Sequence, residues 1–88
     1  MDTVLRNPVD GTRLRILAWL KEPGIAEHGA TADAVATRFA LPRPVARTHL
    51  RLLTAVGLLR ADRGPGGPCY RRDEVRIAEV ARKFEKGW

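Results

Sequence analysis

Apolar positions along the chain fall into four stretches of helical spacing and one short stretch without it. Between Leu41 and Arg60, Ala46, Leu50 and Leu53 recur at i, i+4 and i+7, an apolar stripe on one helix face. Arg43, Arg47 and Arg51 keep the i+4 spacing on another face, with Thr48 beside them. Pro44 suits a first helical turn, where the N–H that proline lacks would have no partner. Gly57 stands where a chain usually leaves a helix with φ > 0. The spacing predicts a helix over about 43–56, with core on one side and a row of guanidinium groups on the other.

The remaining stretches predict elements around it. Leu14, Leu17 and Leu20, with Ile16 and Trp19 near them, mark the buried side of a helix running to about Lys21. Asn7-Pro8-Val9-Asp10 supplies its start: a capping side chain, proline at the first position and an acid in the first turn. Gly11 is a local weakness in this helix, Glu22-Pro23-Gly24 ends it, and Ile25 to Ala30 reads as a loop. Thr31 is placed to cap a second helix, Ala32 to Phe39, with Ala34, Val35 and Phe39 inward. Ala40-Leu41-Pro42 then links tightly into the arginine-bearing helix. Leu58 to Ala61 and Cys69 to Arg72 read as strands around a turn-rich Asp62 to Pro68. Asp73 caps a last helix, where Ile77, Val80, Ala81 and Phe84 form a stripe that Trp88 extends.

The predicted fold is mainly α with a small β-hairpin (α+β), in a single domain over residues 1–88. Two short helices joined by a tight link, the second basic and followed by a hairpin "wing" and a helix, are the winged helix-turn-helix pattern. An apolar back and an arginine front are what a recognition helix needs in a DNA major groove.

Charge sharpens this picture. The net charge is +6. Between Arg38 and Arg72 stand eight arginines, no lysine and one acid, Asp62, whereas the rest of the chain holds eight cations and nine acids. The excess positive charge is confined to one segment, and in residues whose planar fork suits phosphate and guanine edges. The bland alternative is a solvated basic helix face. Arg43, Arg47, Thr48 and Arg51 would face the major groove. Arg63 at the hairpin tip, with Arg60, Arg71 and Arg72 along its strands, would meet a phosphate backbone or minor groove. His49 is a candidate phosphate contact, with packing as the alternative.

Other chemistry is sparse. One cysteine, Cys69, cannot form an internal disulfide or a zinc cluster; it reads as inert packing or, more sharply, as a redox-sensitive thiol. It fits a reducing compartment, with no signal-peptide pattern, and a cytoplasmic, nucleoid-associated location is expected. His28 alone is no metal site, and Gly64 to Gly67 lacks the Lys-Ser/Thr of a phosphate loop. No nucleophile–base pair is visible, so neither an enzyme nor a cofactor is expected. The last helix has little chain left to cover its stripe. Val4, Leu5, Ile77, Val80, Phe84 and Trp88 are therefore candidate dimerisation residues.

The motifs themselves resemble a known family. Asp10-Gly11-Thr12-Arg13-Leu14-Arg15-Ile16-Leu17 is similar to the "DPTRLRIL" opening of the arsenic-repressor (ArsR) family. Leu41-Pro42-Arg43-Pro44-Val45-Ala46-Arg47-Thr48-His49-Leu50 resembles its "LSQPTVSRHL", and Leu52-Leu53 with Ala55-Val56-Gly57-Leu58-Leu59 its "VLREAGLV". The likeness spans roughly residues 8–72. It implies a homodimeric bacterial transcription repressor, joined through its terminal helices, that binds two half-sites of double-stranded DNA. The departures are specific. Thr31 to Ala40 lacks the cysteine pair of metal-sensing members, Asp73 to Trp88 lacks histidine, and Pro42 stands where a capping serine is usual. The DNA-binding role is carried over and metal sensing is not. A non-specific nucleoid protein and a winged-helix protein-interaction module are the alternatives.

Overall fold

The computed structural model describes residues 11–85, with side chains to Lys83. Five helices and one hairpin follow in the order α1 (Gly11–Trp19), α2 (Pro23–His28), α3 (Ala32–Phe39), α4 (Arg43–Ala55), β1 (Leu59–Gly64), β2 (Gly67–Arg72) and α5 (Glu74–Glu85). This is the winged helix-turn-helix arrangement that the pattern predicts. The Asn7-Pro8 start of α1 lies outside the described residues.

The core forms where α1, α3, α4 and the hairpin meet. It comprises Ile16, Leu20, Ala30, Val35, Ala46, Leu50, Leu53, Leu59 and Tyr70. The Ala46/Leu50/Leu53 stripe of α4 is buried as its spacing requires. In α1 and the turn after it the buried line is Ile16 and Leu20, and Leu14 is 60% exposed, contrary to the expectation that it faces inward. Two residues along a helix turn the side chain by about 200°, so a face that buries Ile16 must expose Leu14.

The local signals at α3 and α4 act as expected. Thr31 Oγ1 accepts from the Ala34 N–H at 3.1 Å, a side-chain cap. At the end of α4, the Leu58 N–H reaches Leu53 O and the Gly57 N–H reaches Thr54 O, both at 3.0 Å. These are the two bonds of a Schellman motif, with Gly57 at φ +89° as its left-handed residue. The end of α3 repeats the geometry without glycine. Ala40 sits at φ +55°, a conformation that costs an L-residue about 1 kcal/mol. The link into α4 is tight enough to hold it there, and Leu41 N–H closes the motif on Ala36 O at 2.9 Å.

Two elements differ from expectation. Pro23–His28 is a helix, not a loop: Pro23 occupies its first turn after an extended Glu22, so the proline that ends α1 also starts α2. The hairpin is longer than its Pro and Gly content suggests. Asp62 pairs with Cys69, Arg63 with Pro68 and Gly64 with Gly67, leaving Pro65-Gly66 as the tip. Both strands of a lone hairpin are edges, so Pro68 can stand where no ladder N–H is needed. Gly67 supplies the positive φ, +108°, that the reversal demands. Ala30 adds a third, single-residue rung by exchanging bonds of 3.0 and 2.8 Å with Tyr70. This rung ties the hairpin to the residue before the Thr31 cap.

Asp73 caps α5 through Oδ1, which accepts from the Arg76 N–H at 3.1 Å. Before it, Arg72 fastens the hairpin to two helices. Its Nη1 donates to Leu17 O at 2.8 Å, a carbonyl near the end of α1. Its Nε and Nη2 grip the Glu74 carboxylate at 2.7 and 3.3 Å. The Arg72 hydrogen bond holds the Glu74 carboxyl below its usual range. A depressed carboxylate stabilises the fold above its unfolded pKa, and that contribution disappears as pH falls through the folded value. Glu74→Gln is therefore expected to lower stability by less than about 1 kcal/mol at neutral pH, since Glu74 is solvent-screened. The gap to wild type should narrow as acid titrates the carboxylate. Thermal melts across pH check this; a gap that persists in acid would contradict it.

Candidate nucleic-acid interface

Arg43, Arg47, Thr48 and Arg51 are exposed on α4, on a face beside the buried Ala46, Leu50 and Leu53. Thr48 Oγ1 donates back to Pro44 O at 3.0 Å, which fixes its methyl and hydroxyl on the outer surface. Val45 stands beside this row and is exposed. Arg47 and Arg51 form one wall of a groove of about 180 Å³, with Thr31, Ala32 and Asp33 at the start of α3. Gly66, Pro68 and Tyr70 of the hairpin close its other side. Arg43, at the start of α4, pairs through Nε with Asp33 Oδ1 at 2.7 Å, both side chains well exposed.

The hairpin divides its arginines between two jobs. Arg60 and Arg63 are exposed on β1. Arg71 turns towards α2, where its Nη2 donates to Glu27 O at 2.9 Å. Arg72 is held between α1 and Glu74 with only 12% of its side chain exposed. His49 lies on the α1 side of α4, accepting from Arg13 Nε at Nδ1, 3.2 Å away. Of the nine candidate DNA contacts, Arg43, Arg47, Thr48, Arg51, Arg60 and Arg63 are thus outward, while His49, Arg71 and Arg72 join elements within the domain. Asp33 and Val45 are on the same surface and have no place in the arginine pattern. Asp33 was hidden because it belongs to the preceding helix, Val45 because one exposed valine carries no periodic signal.

A protein-family profile described as a helix-turn-helix domain matches residues 9–61. The chain is 31% identical over 80 residues to the HTH-type transcriptional regulator YbzH of Bacillus subtilis (strain 168), covering 80% of each protein. The solved structure of an ArsR-like transcriptional regulator from Rhodococcus sp. RHA1 superposes with a TM-score of 0.71 at 28% identity. It covers 94% of this chain and 74% of that one. The chain belongs to the ArsR-like winged helix-turn-helix regulators.

This ArsR-like protein is accordingly a transcriptional regulator with a helix-turn-helix DNA-binding domain, from a family of DNA-binding regulators rather than enzymes. Among the described residues, no group of three or more His, Cys, Asp or Glu could hold a metal ion. None of the described helices is long and apolar enough to cross a membrane. Cys69 is half-buried on β2 opposite Asp62. Of the candidate dimerisation residues, Ile77 and Val80 are half-buried on α5. Val4, Leu5 and Trp88, and the side chain of Phe84, lie outside the described residues.

Proposed function

We propose that this regulator is a homodimer that binds an operator of two half-sites and acts as a repressor. In this reading α4 enters the major groove with Arg43, Arg47, Thr48 and Arg51 towards the bases and flanking phosphates. Val45 offers an apolar contact for a thymine methyl. Arg60 and Arg63 carry the hairpin along the backbone or into the minor groove. The observation that supports this best is the division of α4: three core residues behind, three arginines and Thr48 in front, beside a hairpin of compatible charge.

Two exposed apolar side chains near the two ends of the described chain support the dimer. Leu14 on α1 is 60% exposed and Val75 on α5 is 68% exposed. The α5 helix makes only sparse contact with the other described elements, so its Ile77/Val80 side has room for a second copy. Two recognition helices in successive major grooves would then lie about 34 Å apart.

The test is titration of the protein against its upstream promoter fragment and a scrambled fragment of equal length, at two salt concentrations. The expected result is a preference of roughly 10³-fold or more for the promoter fragment, with a steep salt slope. Equal, salt-sensitive binding to the two fragments would favour a nucleoid role. Binding to neither at physiological salt would favour a protein partner.

A further inference from the structure

An acid, Asp33, stands against the arginine row of α4. Asp33 Oδ1 lies 2.7 Å from Arg43 Nε. The same residue lines the hairpin-side groove with Arg47 and Arg51, and a second hollow with Ala36, Thr37, Leu41 and Arg43. An exposed carboxylate therefore stands between the first arginine of α4 and the two that follow. As a first-turn acid of α3 it suits the helix dipole. That role needs no arginine, and the Thr31 side chain already caps the helix.

The atom that Asp33 engages matters. A guanidinium presents Nε on its side and Nη1 and Nη2 at its end. Asp33 forms an ion pair on the Nε side, which leaves the Nη1/Nη2 end for another planar acceptor. Among the described residues, Asp33 is the ion-pair partner of the Arg43 guanidinium. The end-on pair of N–H groups is the geometry that reads O6 and N7 of guanine in the major groove. Against a phosphate backbone the carboxylate acts the other way. Its negative charge repels phosphates and cancels the attraction of Arg43, so sequence-independent contact is weakened.

We propose that Asp33 is a specificity-determining positioning residue, which orients Arg43 for base reading through an ion pair on its Nε side and depresses binding to DNA of unrelated sequence. This rests on the DNA-binding reading given above and deepens it. Asp33 touches no base; it acts through Arg43.

The experiment uses the full chain and two duplexes: one selected by the wild-type protein from a random-sequence pool, and its scrambled counterpart. Asp33→Asn is expected to bind the scrambled duplex about twofold to fivefold more tightly, the size expected for one exposed charge interaction. The preference for the selected duplex should fall by roughly tenfold, as for one impaired bidentate base contact. Asp33→Glu keeps the charge and should retain more of that preference than Asp33→Asn. In an Arg43→Ala background, Asp33→Asn should change the preference no further, because its partner is gone. A merely structural role in α3 would alter the thermal melt and weaken both duplexes together. Equal changes for the two duplexes, or an undiminished effect of Asp33→Asn without Arg43, would overturn the proposal. A wild-type protein that selects no sequence from the pool would instead overturn the operator-binding reading, and the assignment of Asp33 with it.

Discussion

Leu50→Ala is expected to destabilise the domain by about 2–5 kcal/mol. Leu50 is fully buried in α4, in one cluster with Ile16 of α1, Val35 of α3 and Tyr70 of β2. Removing its isobutyl group leaves a cavity at the junction of the layers rather than at an edge. Domains have about 0.05–0.15 kcal/mol of stability per residue, so a chain of this length has roughly 4–13 kcal/mol in total. The loss is thus a large fraction of the whole. A far-UV circular dichroism melt should show a fall in Tm of roughly 10 °C or more. DNA binding at a temperature where the variant remains folded should be close to wild type, because Leu50 lies behind the arginine face. A Tm within a degree or two of wild type would mean that α4 is rotated away from the packing described here.

Arg47→Ala is expected to do the opposite, weakening specific DNA binding by about 1–3 kcal/mol, or roughly fivefold to 150-fold in Kd. Arg47 is exposed at the centre of the row, one turn from both Arg43 and Arg51, and faces the groove between α3 and the hairpin. It carries no packing, so its loss should leave the melt unchanged. If it reads a base, the preference for the selected duplex falls; if it holds a phosphate, both duplexes weaken alike and the salt slope drops by about one. Unchanged affinity for the selected duplex at fixed salt would remove Arg47 from the interface. The pairing of this variant with Leu50→Ala separates the two faces of one helix: one changes stability and spares recognition, the other the reverse.

Much of the fold is legible in short stretches of sequence. Thr31, Gly57 and Asp73 each act within about one turn of their own position. Their side-chain oxygens or backbone freedom satisfy groups that a helix end leaves open, and so they mark α3, α4 and α5 correctly. The stripe of Ala46, Leu50 and Leu53 and the row of Arg43, Arg47 and Arg51 follow from helical spacing alone. Where the expectations differ from the structure, a local rule met a competing one. By the local rule Pro23 is a stop, although proline also begins helices. Spacing with Leu17 points Leu14 inward, but Ile16 and Leu20 form the inner line.

The sequence by itself determined the element order, the caps and the division of α4 into an apolar and a cationic side, because each depends on residues a few positions apart. Only the tertiary structure decided how the arginines are used. Arg72 reaches a carbonyl 55 positions away and Arg71 one 44 positions away, and His49 meets Arg13 across 36. Charge counting treats such residues as equivalent. Arg72, held by a carbonyl of α1, is largely withdrawn from the surface, whereas Arg43, whose partner Asp33 is itself exposed, is not. The pairing of Arg43 with Asp33 and the rung between Ala30 and Tyr70 are of the same kind. They exist because the packing of α3 against α4 and the hairpin brings those groups within hydrogen-bond reach, and no spacing along the chain encodes that distance.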